Sequence, residues 1–323
     1  MPHEVKYEAK HVAKKFYGLH QSSRGVAIIT ALLLTALAIT IVASLFWQQQ
    51  IQIRAVENQR LQLQKQWILR GAVDWATLIL REDSKYSLID DLTEPWAVPL
   101  ADTSLDQYVQ KEEEHALAQE AILSGAIQDA QSRLNLTGLA TAGKINEQQV
   151  LLFERLLSSL HIDTTLARLA ATQIASSQPN ESGASSRVRY VGFQYVQDLF
   201  IVTGFTPAIV KTLEDYVVFL PRTTAINANT APQVVLTAAL ASLSLADTQA
   251  LIVKRAQSPF RNINELIAQL SGSQTTINPQ AITLSTNYFL VNGKISLRQN
   301  ALQIQALVER NGFNTEVLWI REI

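Results

Sequence analysis

The chain has 323 residues, 47% apolar and 17% charged, with a net charge of −1, no cysteine and one methionine. That length allows two domains, each with its own core, and the missing cysteines exclude disulfides, thiolate zinc sites and a cysteine nucleophile. Near-neutral charge argues against a general nucleic-acid coat, which needs lysine and arginine to displace phosphate counterions.

The first 25 residues are basic: Lys6, Lys10, Lys14, Lys15 and Arg24 outnumber Glu4 and Glu8. Val26 to Trp47 then runs for 22 positions without a charge, about 33 Å as a helix and enough to cross a bilayer core of about 30 Å. It is too long for a signal-peptide apolar region and lacks a good cleavage site after it. Because the basic groups all precede it, the positive-inside rule leaves the N-terminus cytoplasmic and the remaining chain on the other face. No proline occurs between Val26 and Pro95, so helix is expected to continue to Asp83 as one rod of about 85 Å. Ile68, Ala72, Trp75 and Ile79 form the expected core-facing stripe.

Gly25, at the cytoplasmic edge of the apolar run, resembles the type IV pilin and pseudopilin signal. The resemblance implies that a membrane peptidase cuts after Gly25 and methylates the new N-terminus, Val26.

Tyr86 to Leu105 is turn-rich, with Pro95 and Pro99, and reads as loop and short strands. Lys111 to Gln119 carries Glu112, Glu113 and Glu114 and reads as a solvated face. His115 beside them offers at most a weak surface metal site. Ala121 to Leu136 reads as a strand pair entering a turn, and Glu147 to Ile174 as helix. Ser176 to Arg187 is a low-complexity exposed loop. Three short helices then announce their starts: at Thr206-Pro207, at Thr230 through Gln233 with Thr230 as the cap, and at Ser244 with Asp247. From Thr286 the text is strand-like, with a hairpin expected at Asn292-Gly293 and further strands at Asn300 to Arg310 and Val317 to Glu322. The pattern is a helix-then-strands fold interrupted by a helical insertion of about 140 residues.

Several landmarks in one order resemble the minor pseudopilin K family of the type II secretion system. They are Arg24-Gly25 with the apolar run, Glu94-Pro95-Trp96-Ala97, the segment Ile127 to Leu136, Asn227-Ala228-Asn229-Thr230-Ala231-Pro232, Ser258-Pro259-Phe260 and Asn287-Tyr288-Phe289. The resemblance implies an α+β, pilin-like core, a long N-terminal helix packed on a small antiparallel sheet, with a large all-helical domain inserted. The expected division is a leader at 1–25, a transmembrane part at 26–47, pilin core at 48–140, helical insertion at 141–284 and C-terminal strands at 285–323.

The same resemblance implies an inner-membrane protein with a periplasmic globular part. It would sit at the tip of the pseudopilus beside minor pseudopilins I and J and other pseudopilins, after processing by prepilin peptidase, and start assembly for export of folded proteins. After cleavage the fifth residue is Thr30, where ordinary pilins carry glutamate. Parts of the family use calcium on an aspartate-rich segment; Ala170 to Ser186 here contains only Glu181 as an acid. Hard cations want several oxygen ligands, so no cofactor is expected.

Other chemistry is present only in outline. Gly138 to Lys144 matches part of a phosphate-binding loop, but Ile145 replaces the hydroxyl that would hold magnesium. Ile226 to Leu266 resembles a helix-hairpin-helix module, with Ser242 and Ser244 at the positions of its phosphate-gripping glycines and Lys254, Arg255 and Arg261 as the nearby cations. A DNA-binding or DNA-uptake membrane protein is therefore the alternative function. Asp90, Asp91 and Glu94 would act as acid and base only in a cleft, and no catalytic motif occurs, so an enzyme is not expected.

Overall fold

A computed structural model describes residues 24–105, 121–178, 192–241, 243–269, 281–297 and 300–323. The expectations for the leader, for Lys111 to Gln119 with His115, for most of the Ser176 to Arg187 loop and for Ser242 lie outside these residues. Helix α1 runs from Arg24 to Asp83 without a break, as the absence of internal proline allows. It passes from one compact unit, ending at Leu63, into a second, Gln64–Ile323. In the first unit its apolar side chains are exposed throughout, from Val26 to Trp47, a surface that water does not tolerate and lipid does.

In the second unit α1 packs on a five-stranded antiparallel sheet. Its strands are β1 (Leu100–Ser104), β2 (Ala121–Asp129), β3 (Tyr288–Leu297), β4 (Asn300–Asn311) and β5 (Asn314–Glu322), in that spatial order. Two expectations are corrected here. Asn292-Gly293 is no hairpin: β3 runs straight through it, paired with β2 on one side and β4 on the other. A strand with neighbours on both sides satisfies its backbone by staying extended, and that outweighs the local turn preference. Ala121 to Leu136 holds the long strand β2, a 3-10 turn at Ala130–Ser132 and the two-residue strand Leu134–Asn135, but the two strands do not pair with each other.

The core-facing stripe of α1 is also displaced by one residue. Leu69, Val73, Ala76 and Leu80 are buried, Ile68 and Ile79 flank them, and Trp75 is 52% exposed. Both stripes are apolar at helical spacing, and only the sheet selects between them. Its inner face presents Phe289, Val291 and Ile295 from β3 and Leu302, Ile304, Ala306 and Val308 from β4. Gly125 and Gly293 lie directly opposite each other in the middle of this face. A Cβ on Gly293 would stand 3.2 Å from Leu69 Cδ2, so the missing side chain is what admits Leu69.

Between β2 and β3 the chain builds a second, larger core of helices. These are α2 (Glu147–Ser159), α3 (Thr165–Ser176), α4 (Pro207–Leu213), α5 (Gln233–Ala239), α6 (Leu245–Gln257) and α7 (Ile263–Gln269). Phe153, Leu156 and Leu157 of α2 and Ala167, Ala170 and Ala171 of α3 are fully buried in it; the alanines let the two helices approach closely. Short parallel pairings, Leu134–Asn135 with Val217–Val218 and Ile226–Asn227 with Ile282–Thr283, tie the ends of the insertion together. Of the expected starts, Thr206 caps α4 by accepting from Ile209 N, and Ser244 with Asp247 forms a capping box on α6. Thr230 does not cap α5, whose N-cap is Pro232 without a side-chain bond; its hydroxyl is drawn away to a buried carboxylate.

The two glycine environments give a paired test. A Cβ on Gly125 would meet Asn292 O at 2.7 Å, whereas one on Gly71, in exposed α1, meets nothing within 4 Å. Gly125→Ala is expected to destabilise the protein by about 1–3 kcal/mol. Gly71→Ala should stabilise it by about 0.5–1 kcal/mol. Urea titration of the two variants beside the parent checks both signs.

Candidate functional site: the anchor segment and a buried junction

The residues expected to direct processing and assembly lie in the first turns of α1. Gly25 and Val26 are in its first turn, with Val26 65% exposed. Thr30 donates from Oγ1 to Ala27 O at 3.0 Å, and Thr35 and Thr40 repeat this bond to Leu32 O and Leu37 O. Each hydroxyl is thus satisfied by its own helix and makes no demand on surrounding lipid.

Deeper in the molecule, landmarks scattered across the sequence meet at one buried junction. Asp129, at the end of β2, is 3% exposed. Its carboxylate accepts from Thr230 Oγ1 at 2.5 Å, from Asn227 Nδ2 at 2.8 Å and from Gln131 N at 2.7 Å. Burial pushes its pKa up, and the hydrogen bonds from Thr230 and Asn227 pull it back. Asn227 also donates to Asp90 O, and Gln131 accepts from Asn287 N while donating to Ala225 O. Asn229 closes a two-way pair with Phe260, accepting from its N–H and donating to its carbonyl, both at 3.0 Å.

Beside Asp129, Arg310 leaves the inner face of β4 and bonds Asp90 and, at 2.9 Å, Asp83 at the end of α1. Its guanidinium lies 4.7 Å from the centre of the Phe289 ring, which meets Trp96 edge-on at 5.2 Å. Trp96 in turn donates to Glu94 at 2.7 Å. Arg310 was not singled out from the sequence. Its signal was a charge in register with Leu302, Ile304, Ala306 and Val308, all inward-facing.

Asp90, Asp91 and Glu94 each accept hydrogen bonds from neighbouring donors. Asp90 accepts from Thr286 N and Arg310, Asp91 from Thr93, and Glu94 from Trp96 and Asp91 N. Asp83, Asp90 and Glu94 come close enough together to suggest a cation, but Arg310 already supplies the positive charge. A hard metal ion would have to displace it, so this set does not fit calcium. The described part of the segment where the resemblance would place calcium, 170–178, has no acid.

The phosphate-loop look-alike is a tight two-residue turn. Ala142 and Gly143 both have positive φ, 50° and 76°, between the paired Ala140–Thr141 and Lys144–Ile145. In the helix-hairpin-helix look-alike, Ser244 N and Oγ both donate to Asp247, so a carboxylate already occupies the start of α6 where a phosphate would bind. Arg255 turns inward to Ala228 O at 2.6 Å, and burial lowers its pKa to about 10. Lys254 bonds Gln269. Both features oppose phosphate recognition, and titration of the full-length protein with duplex DNA at low salt should show no binding at micromolar concentration.

A membrane-length helix continuing onto one face of an antiparallel sheet, with a helical domain inserted, defines a pilin-like anchored protein; among the described residues it is the single helix apolar and long enough to span a bilayer. Comparison with known proteins narrows this. Two family models described as type II secretion system protein K match residues 132–222 and 226–287. The type II secretion system protein K of Pseudomonas aeruginosa is 26% identical over 315 residues, 90% of each chain. A chain in the crystal structure of the GspK-GspI-GspJ complex from enterotoxigenic Escherichia coli aligns with TM-score 0.65 at 19% identity, over 83% of this chain and 99% of that one. By sequence and by fold, then, the chain is similar to type II secretion system protein K over most of its length.

The junction carries a pH signature. Burial raises the Asp90 pKa from 3.8 to about 6, against the opposing pull of Arg310. A carboxylate whose folded pKa is raised contributes stability that is fully present below about pH 4 and lost as pH rises through about 6. The difference in Tm between the parent and Asp90→Asn should therefore move in the parent's favour, by an amount worth about 2 kcal/mol, between pH 7.5 and pH 4.5. Thermal melts of both at the two pH values decide it; a difference that stays constant or reverses contradicts the assignment.

Proposed function

We propose that this protein is the first subunit of the pseudopilus, held at its tip with minor pseudopilins I and J. Its N-terminus is cytoplasmic, its globular part periplasmic, and prepilin peptidase cleaves between Gly25 and Val26, leaving 298 residues. The proposed division sets the helical insertion at 141–284, between core segments at 48–140 and 285–323.

The observation that carries this reading is Thr30. A glutamate at the fifth mature position would pair with the terminal amine of a preceding subunit, and a first subunit has no predecessor. An unpaired carboxylate in lipid costs about 3 kcal/mol, whereas Thr30 is satisfied by Ala27 O. The bulky insertion supports the same place, since it would obstruct subunits stacked above it but nothing at an end. The similar solved chain comes from a complex with GspI and GspJ, which supports those partners. On α1, Trp67 and Trp75 are 73% and 52% exposed with Leu78 beside them, an apolar face suited to a helix of a neighbouring subunit.

Thr30→Glu should reduce incorporation and delay filament appearance, and Gly25→Leu should leave the leader attached in mass spectra. The double change Trp67→Glu and Trp75→Glu should weaken association with purified I and J by about tenfold or more. Immunogold label along the whole filament, or a Thr30→Glu variant that assembles as the parent does, would remove the tip assignment.

A further inference from the structure

On the face of the sheet turned away from α1, a cleft of about 340 Å³ opens between the strands and the helical domain. Among its walls are Gln128, Arg133, Tyr195, Gln305, Trp319 and Arg321. Elsewhere Arg168, Arg222 and Arg310 each meet a carboxylate, and Arg155 and Arg255 donate to backbone carbonyls. Arg133 and Arg321 do neither. Arg133 Nη2 donates to Gln128 Oε1 at 3.0 Å. Arg321 donates to Gln305 Oε1 through Nε at 3.2 Å and Nη2 at 2.7 Å, and through Nη1 to Gln197 Oε1 at 3.0 Å. Its guanidinium also lies 4.5 Å from the centre of the Tyr195 ring and 5.5 Å from that of Trp319.

The glutamines are themselves held in place. Gln305 Nε2 donates to Asn292 Oδ1 at 3.0 Å, Asn292 Nδ2 to Gln128 Oε1 at 3.4 Å, and Gln197 Nε2 to Glu214 Oε1 at 2.7 Å. One ladder of side-chain amides thus fixes two guanidinium groups without neutralising either. The carboxylates nearby act only at a distance: Glu214 is engaged by Lys211 at 2.7 Å, Asp198 accepts from Gln194 N and Tyr195 N, Asp129 is held by Thr230 and Asn227, and the exposed Asp215 makes no ion pair with Arg133 or Arg321. Burial lowers the pKa of both arginines, and the charges of Asp215, Asp129 and Glu214 near Arg133, and of Glu214 and Asp198 near Arg321, pull the other way without touching them.

We propose that this cleft binds a carboxylate presented by another polypeptide, an acidic side chain or a chain's C-terminus, between Arg133 and Arg321. Among the described residues the Nε and Nη1 donors of Arg133 have no partner, and a guanidinium fork matches the planar carboxylate in both spacing and charge. Leu290, Val218 and Trp319 line the same cleft, apolar surface that suits the carbon stem and backbone around a peptide carboxylate rather than a bare inorganic anion. The inference is independent of the tip assignment.

Calorimetry on the full-length protein in detergent tests it with four probes. These are a blocked pentapeptide with one central glutamate, its glutamine counterpart, a peptide lacking acidic side chains but ending in a free carboxylate, and inorganic phosphate. One of the two acid peptides should bind with Kd of about a millimolar or tighter, and which one does so identifies the source of the carboxylate. Binding should weaken about tenfold for the glutamine peptide, and about tenfold for Arg133→Gln or Arg321→Gln, from loss of a charge-assisted pair. Asp215→Asn should leave binding equal or tighter. The proposal is overturned if neither acid peptide binds better than the glutamine peptide, if an Arg133→Gln variant with unchanged near-UV circular dichroism binds as the parent does, or if phosphate displaces the peptide at lower concentration than the peptide itself requires. Should Arg321→Gln fail to fold, the peptide pair on the parent and the Arg133→Gln variant decide the matter.

Discussion

A carboxylate buried at the end of β2 sets the terms for the rest of the second unit. Asp129 is withdrawn from water, and a buried charge without partners costs several kcal/mol. Beside the local Gln131 N, its donors come from far along the chain: Asn227 and Thr230 belong to the segment that opens α5, about a hundred residues on. The sheet therefore reaches its low-energy state only when the helical insertion is folded and docked, and the insertion orders its Asn227–Thr230 turn against the sheet. Asp90 extends the dependence, because its carbonyl receives Asn227 while its carboxylate receives Arg310.

Two of the three hydrophobic clusters among the described residues carry most of the apolar burial around this polar seam. One is small and binds the last turns of α1 to the sheet; the other is larger, rich in leucine and alanine, and belongs to the helices between β2 and β3. Apolar burial supplies most of the driving force in each but is non-directional. Directional bonds at the seam fix how the two cores meet, since removing any one partner would leave a buried group unsatisfied. Burying polar groups here exchanges some stability for a single arrangement.

The long helix shows the same division between a general force and a specific selector. Its first part needs only to be apolar and continuous, with threonines bonded back to the preceding turn. Its last part has two candidate apolar stripes, and the sheet decides which is covered. The stripe left outside includes Trp75, and the same face carries Trp67, so apolar area remains on the molecule's surface.

Composition and local pattern determined a good deal alone. The uncharged run Val26–Trp47, the continuation of helix to Asp83, the caps at Thr206 and Ser244 and the strand content after Thr286 all follow from short-range rules, because membrane length, capping and alternation act within a few residues. The order of landmarks was enough to show the resemblance to type II secretion system protein K. What the sequence did not reveal is what those landmarks do, since Trp96, Asp129, Asn227, Phe260 and Phe289 acquire their roles only by meeting. Tertiary structure alone decided that Asn292-Gly293 stays extended, that Leu69 rather than Ile68 faces the sheet, and that Thr230 serves Asp129 instead of a helix end. In each case the local preference is worth about 1 kcal/mol, and a buried backbone group, a packed side chain or a buried carboxylate left unsatisfied would cost more.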